Sequence, residues 1–547
     1  MKNHRVMYSK SKILYDFVAC LLIIVSHFAN YIIYAEYSRF FPDIALVVGI
    51  LCSVAFVLTM LLQIPSSIFR AAVFAMLISI VLGDAVFEYG TVDLSIRLAA
   101  MSATLLIAVA LAFFLREHTN KVLIGAFLAM LFSTLVIGNL ESEGQDGPVA
   151  ATPRTLGDDP PIILHLILDE HMGLGGMTSR LPGGEVIRDE LRDFYTRAGF
   201  RLFSHAYSQY FKTPSSLASA LNFDSTEDPD THLVKKRYGF AIDRNTYLEK
   251  ISNRKYNMKL YQSGYFDFCR NLEMKTNKCV VYKPDNIDEL AIKSLSVFER
   301  VKFIINMYYS SLALIKVVKL LAEPINLWLS QRDILLPRLG LWHGRVGPIA
   351  IAPILRRIKR DIALAESGTL FFAHLLTPHY PYVYTPTCEV RSPISSWSLR
   401  LRSDGGNSDA SRRQRYVEYF DQIRCTMREL EALFDVMKRN GTYERAVIVV
   451  HGDHGSRINV VEPNAANASK MTADDYIDGY STLFALKAPG LTPGVDSRML
   501  PLSRLLAFAL GRDERFLSDP ARATVYLPDG SGGRIEVPLP SFPAQLD

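Results

Sequence analysis

Cysteine is scarce in this 547-residue chain, six in all, and no two of them stand in a C-x-x-C pair. That absence excludes a zinc ribbon or a thioredoxin-like redox centre as the source of its chemistry. Charge is scarce too: charged residues make up 21% and nearly cancel to a formal +5, so no nucleic-acid partner is expected. The shortage is sharpest in the first quarter. Five apolar segments, Phe17–Ala35, Ile44–Leu62, Ala71–Phe87, Leu98–Leu115 and Val122–Leu140, contain no lysine or arginine and a single carboxylate, Asp84. Each is near the length a helix needs to cross a bilayer at about 1.5 Å per residue. A transport path would call for more intramembrane polar groups than His27, Asn30 and Asp84. Residues 1–140 therefore read as an anchor, a bundle of about five transmembrane helices.

Loop charges orient that anchor. Lys2, Arg5, Lys10 and Lys12 precede the first segment, Arg70 lies between the second and third, and Arg116 and Lys121 between the fourth and fifth. The opposite loops carry Arg39 and Arg97, diluted by Glu36, Asp43, Glu88 and Asp93. Positive charge stays inside, so the N-terminus is expected in the cytoplasm and everything after Leu140 outside it. The expected location is the inner (plasma) membrane, multi-pass, with a periplasmic catalytic domain. Cysteine usage fits: Cys269, Cys279, Cys388 and Cys425 all fall in the outer part. They allow three pairings, of which closeness in sequence favours Cys269 with Cys279 and Cys388 with Cys425; four buried free thiols is the alternative.

Glu141–Pro160, rich in Gly, Pro, Ala and acids without an apolar period, reads as a linker. From residue 161 to 547 strand-like and helix-like stretches alternate, which predicts a parallel α/β sheet with helices on both faces. Two apolar runs, Ile162–Leu168 and Ala446–Val450, end abruptly in polar residues: Asp169 and Glu170 after the first, His451, Asp453, His454 and Gly455 after the second. Ligands of open α/β sheets bind at the carboxyl edge, so these residues converge if both runs are parallel neighbours. Two carboxylates with an Asp-His pair suit a divalent metal. Acids after a strand also cap helices, the plainer reading of Asp169 and Glu170 taken alone. A third candidate is Lys212–Phe223, KTPSSLASALNF, where proline sets the first turn of a helix and Thr213 opens it. A hydroxyl at that positive end can attack a phosphate or sulfate ester, or it can simply cap the helix.

In the order of these elements, acids after a first strand, a hydroxyl opening a helix, an HYP-type element at Phe371–Tyr384, and DHG after a late strand, the chain resembles the alkaline-phosphatase superfamily. It is most similar to the sulfatase-like branch, with its membrane phosphoethanolamine and phosphoglycerol transferases and lipoteichoic acid synthases. The resemblance implies a doubly wound catalytic domain behind a membrane bundle. It implies a metal held by Asp169 or Glu170, Thr213, Asp453 and His454, with zinc expected and manganese accepting the same ligands. It makes Thr213 the nucleophile and His379 the residue that protonates the leaving oxygen; Lys212, His374 and His451 are substrate-side candidates. His374 also reads as a core histidine, and His451 as one that orients a ligand. True sulfatases carry C-x-P-S-R, where this chain has Lys212 at the cysteine's place and Ser216 at the arginine's. That disfavours formylglycine chemistry and leaves Ser215 and Ser216 as alternative nucleophiles. The implied function is transfer of a phosphate-linked head group from a membrane lipid donor to an envelope glycan or glycolipid. The alternatives are a phosphate- or sulfate-ester hydrolase and a catalytically inactive membrane binding or regulatory protein. Ser296–Ser330, apolar and aromatic with spaced lysines, is either an amphipathic segment resting on the bilayer or a core-packed helix pair, broken by Pro324.

Overall fold

The computed structural model describes residues 10–34, 42–64, 66–88, 99, 102–103, 106–107, 109–110, 114, 118–143, 160–223, 228–236, 239–270, 276–282, 289–312, 347–397, 408–518, 520 and 522–542. The chain divides into two compact units: Met1–Ala150 with Asp285–Glu289 and Leu295–Arg345, and Ala151–Pro284 with Leu290–Ser294 and Val346–Asp547.

The first unit contains the helices Lys10–Tyr34, Pro42–Leu61, Ser67–Glu88, Thr119–Glu143 and Val297–Ser311. Two helices among the described residues are long and apolar enough to cross a membrane, over Ser11–Ile33 and Pro42–Leu61. The expected segment Leu98–Leu115 and the linker lie largely outside the described residues. One polar cluster ties the helices together. The fully buried carboxylate of Asp16 accepts hydrogen bonds from Arg70, Asn120 and, at 3.3 Å, Gln63 Nε2. A charge taken out of water needs such partners. The helix Val297–Ser311 belongs to this unit; Arg300 Nε lies 2.6 Å from Asp43 Oδ2, and Tyr308 hydroxyl 3.0 Å from His27 Nδ1. It buries Ile304 and Met307 and leaves Phe298 73% exposed. Residues of Ser296–Ser330 beyond Leu312, Pro324 among them, lie outside the described residues.

The described strands, all in the second unit, are β1 Ile163–Leu168, β2 Arg201–Phe203, β3 Leu233–Lys235, β4 Phe240–Ile242, β5 Asn257–Ser263, β6 Phe266–Asp267, β7 Thr276–Tyr282, β8 Thr369–Leu375, β9 Val447–Gly452, β10 Phe484–Lys487, β11 Gly494–Asp496, β12 Thr524–Pro528 and β13 Arg534–Pro538. Eight of them form one sheet in the order β11-β2-β10-β9-β1-β8-β5-β7. β1 is central and buried along its whole length, as its apolar run, broken only by His165, requires. One core face packs Ile187, Leu191, Ile358, Phe420 and Leu433 on the sheet, the other Leu217, Leu248, Leu505 and Phe508. Helices thus cover both faces, the doubly wound arrangement.

The sheet is mixed rather than wholly parallel: β10 runs antiparallel to both its neighbours, β9 and β2. Residues 453–483 leave β9 and return to β10 at the same edge, so the chain re-enters the sheet in the opposite sense. That connection, instead of crossing over, stays with the residues of interest. The pairing of the outer cysteines is Cys269 with Cys279 and Cys388 with Cys425.

Candidate metal centre

Register sets the site. Leu168 at the end of β1 pairs with Leu375 of β8 on one side and Gly452 of β9 on the other, both parallel. The next residues of all three strands therefore emerge together at the carboxyl edge: Asp169 and Glu170, the 376–384 loop, and Asp453 with His454. The backbone N–H of Asp169 continues the ladder by donating to the Leu375 carbonyl at 2.9 Å.

Asp453 and His454 are both fully buried. Asp453 Oδ1 accepts from the backbone N–H groups of Glu170 and His454, each at 3.0 Å, which leaves Oδ2 facing His454 Nε2 at 3.1 Å. Burial works against ionising this carboxyl, but His454, His374 and the Glu170 N–H outweigh it and hold it well below the usual carboxylate range. His454 Nδ1 donates to the Gly455 carbonyl at 3.0 Å, so its Nε2 is turned toward Asp453, toward Asp169 Oδ1 4.0 Å away, and toward Thr213 Oγ1 3.1 Å away. Thr213 opens the helix Thr213–Asn222 and is 5% exposed. Lys212 occupies the cap position without a side-chain bond, so capping does not explain the threonine hydroxyl.

The other two hydroxyls face elsewhere. Ser216 Oγ donates to the Asp453 carbonyl at 2.5 Å and meets Ser208 Oγ at 2.8 Å, bracing the turn; Ser215 Oγ donates to Asp230 at 2.9 Å. Lys212 is exposed, with its Nζ 5.5 Å from the Phe211 ring centroid. His379 and Glu170 form the outer side. His379 Nδ1 donates to the Tyr380 carbonyl at 2.5 Å, and its Nε2 lies 3.8 Å from Glu170 Oε1. Glu170 adopts a left-handed backbone, φ 64°, which an acid tolerates only at a cost. Tyr419 holds it there, donating its hydroxyl to the Glu170 carbonyl at 2.6 Å.

His374 and His451, expected as substrate-side candidates, stand in different surroundings. His451 is fully buried; Nδ1 donates to the Gly452 carbonyl at 2.7 Å and Nε2 faces His165 Nε2 at 2.8 Å, so neither nitrogen is turned to a substrate. Burial is the main reason that it stays neutral, its pKa pushed down to about 4. His374, also fully buried, sits with Nε2 3.5 Å from Asp169 Oδ2, behind that carboxylate rather than in front of it. Gly455 has a packing purpose that the motif does not disclose: a Cβ there would lie 2.3 Å from the Asp478 carbonyl oxygen.

Ligand atoms of Asp169, Asp453 and His454 lie within 4.8 Å of one another, as do those of Asp169, Glu170 and His379. Buried Asp169 Oδ1, Asp453 Oδ2 and both His374 nitrogens have no hydrogen-bond partner among the described residues. Carboxylate oxygens so placed are anomalous without a cation between them. The donor set, two carboxylates, an imidazole and a hydroxyl, fits a divalent metal. Asp169 belongs to both groups, which makes it the more central of the two acids.

Sequence reading missed three contributors. Arg457, four residues past Asp453, has its Nη1 3.6 Å from Glu170 Oε1. Tyr419 and Gln422 reach the site from the helix Asp409–Arg439; Gln422 bonds four backbone groups of the loop that carries His379. Arg457 was visible in DHGSR as a cation beside the motif; nothing in the helix sequence marks Tyr419 or Gln422.

No family model and no curated protein matches the chain. Solved structures similar to it include the C-terminal periplasmic domain of EcEptC from Escherichia coli in complex with Zn, at 14% identity over 71% of this chain and 94% of that one, TM-score 0.41. Two others are phosphonate monoester hydrolases. That of Agrobacterium radiobacter shares 12% identity over 67% and 80% of the chains, TM-score 0.38. That of Silicibacter pomeroyi shares 12% over 67% and 79%, TM-score 0.38. At such identities and scores they assign no role to a residue here, and the roles rest on the geometry above.

Proposed function

We propose that the chain is a membrane-anchored, metal-dependent transferase that takes a phosphate-linked head group from a lipid donor and delivers it to a hydroxyl of an envelope glycan or glycolipid. The observation that carries this reading is Thr213 Oγ1, buried at a helix N-terminus 3.1 Å from His454 Nε2 inside the acid and histidine cluster. Asp169, Asp453, His454 and Thr213 would hold the metal, zinc being well suited and manganese acceptable. A cation held there would acidify the threonine hydroxyl and offset charge on the phosphoryl oxygens, and the Thr213 proton would leave to solvent.

Thr213 Oγ1 then forms a bond to phosphorus as the bond to the donor alcohol breaks, and protonated His379 gives that alcohol its proton from Nε2. The acceptor hydroxyl next loses its proton to His379 and bonds to phosphorus as the threonine oxygen leaves. His379, its side chain 21% exposed, suits this traffic, since it stands at the outer side of the cluster while the ligands are buried. The disulfides Cys269–Cys279 and Cys388–Cys425 favour an oxidising compartment. Together with the apolar helices Ser11–Ile33 and Pro42–Leu61 they support a membrane-anchored protein with the second unit outside the cytoplasm; the multi-pass bundle of about five helices in the inner membrane rests on the five apolar segments of the sequence.

The test is a labelled phospholipid donor presented with and without an envelope glycolipid. Acceptor should speed donor loss and take up the label; equal loss without acceptor, all label going to water, would favour the hydrolase. Thr213→Ala should remove the reaction, and a fully active variant would sink the mechanism.

A further inference from the structure

Arg457 is held in a conformation that its own packing does not require. Its backbone is left-handed, φ 56°, a region that a non-glycine residue enters only at a cost. The surroundings enforce it. The Arg457 N–H donates to the Asp478 carbonyl at 2.7 Å, and Asp478 is clamped by Arg412 through two bonds of 2.5 and 2.7 Å. Ser456, one residue earlier, is tied to Tyr416 at 2.6 Å. What the conformation achieves is the placement of a guanidinium at the metal centre. Nη1 is 3.6 Å from Glu170 Oε1, itself on a left-handed residue, and Cζ lies 5.7 Å from the Phe211 ring centroid. That distance to Glu170 is longer than a good bidentate ion pair, so the acid does not saturate the fork. The Nε atom is buried and has no hydrogen-bond partner among the described residues. Lys212, the residue before Thr213, stands over the same Phe211 ring, so two cations border the helix N-terminus that presents the hydroxyl.

We infer that Arg457 binds the tetrahedral oxyanion of the substrate, its guanidinium engaging two oxygens of the group that Thr213 attacks. This rests on the reading of the site as one for a phosphate or sulfate ester, whose anions share that shape and charge. A planar fork suits two oxygens of such a group, which a lysine ammonium cannot match.

The test uses the full chain in detergent, loaded with zinc, and titrates inorganic phosphate and, separately, sulfate by calorimetry. Zinc affinity is measured in parallel with a competing chelator. Arg457→Gln should weaken anion binding by roughly 10- to 100-fold, Arg457→Lys by less, with zinc affinity within about threefold of the wild type. The tighter of the two anions in the wild type indicates the ester class and supports the inference either way. Unchanged anion binding in Arg457→Gln, with wild-type protein binding normally, overturns the inference and leaves the site reading intact. Zinc and anion affinity falling together overturns it too, since Arg457 would then serve only to hold Glu170. Arg457→Lys keeps this decision open should the glutamine variant fail to fold. Wild-type protein that binds zinc but neither anion would overturn the ester reading itself, and this inference with it.

Discussion

Gln422 offers a sharp test of how the site is positioned. It is fully buried, and its Oε1 accepts from the N–H groups of Val383 at 2.8 Å and Tyr384 at 3.3 Å, while Nε2 donates to the carbonyls of Pro378 at 3.0 Å and His379 at 2.7 Å. Gln422→Met keeps the length and removes every polar atom. Four backbone groups then lose their partner, and a stranded buried group costs about 1–3 kcal/mol. Water can reach the His379 end, so the net loss should be about 3–5 kcal/mol, a fall in Tm of roughly 5–10 °C for a domain of this size. Activity should fall further than stability at the assay temperature implies. A displacement of about 1 Å in an acid–base residue costs on the order of 100-fold, and His379 is bonded directly to this glutamine. Thermal unfolding of the full chain in detergent, with donor turnover measured well below Tm, gives both quantities. A variant with unchanged Tm and unchanged turnover would show that the Cys388–Cys425 disulfide alone holds the loop.

Further outcomes follow from the same structure. His171 and His451 are buried with pKa values pushed down to about 4 from an unfolded value of about 6.5. Their folded values lie below the unfolded ones, so their neutral forms favour the fold; stability is full above about 6.5 and is lost as pH falls toward 4. At pH 5 each should cost about 2 kcal/mol, and a denaturant midpoint that is flat from pH 7 to 5 would contradict this. His454→Ala should weaken zinc at least as much as the roughly 10- to 100-fold that loss of an outer-shell partner costs, leaving far-UV circular dichroism unchanged; zinc held equally well would make the DHG turn purely structural. A phosphatase reporter fused after Gly147 should be active and one at Arg116 inactive, and the opposite pattern would place the second unit in the cytoplasm.

Much of the site was legible because doubly buried parallel strands announce themselves. Ile162–Leu168 and Ala446–Val450 have no polar face, so their polar ends can only be sheet-edge residues. Once both are neighbours of one sheet, Asp169, Asp453 and His454 meet by register alone. Thr213 was legible for a local reason, the proline that starts its helix. Residues whose role depends on a tertiary partner were not. Gln422 and Tyr419 read as ordinary positions of a long helix, and His451 looked like a site residue until its Nε2 met His165 across β1 and β9. The reversal of β10 is likewise hidden, because four residues state a strand but not its direction. Gly455 shows the limit from the other side: its need arises from the carbonyl of Asp478, a contact that no local pattern contains.

The central claim is that Thr213 carries the transferred group. Mass spectrometry of the full chain, quenched during turnover with a phospholipid donor and no acceptor, addresses it directly. The expected result is a covalent adduct on the peptide containing Thr213, equal in mass to the donor's phosphoryl head group, absent from Thr213→Ala and discharged when glycolipid is added. An adduct on Ser215 or Ser216, or turnover with no adduct on any residue, would contradict the account.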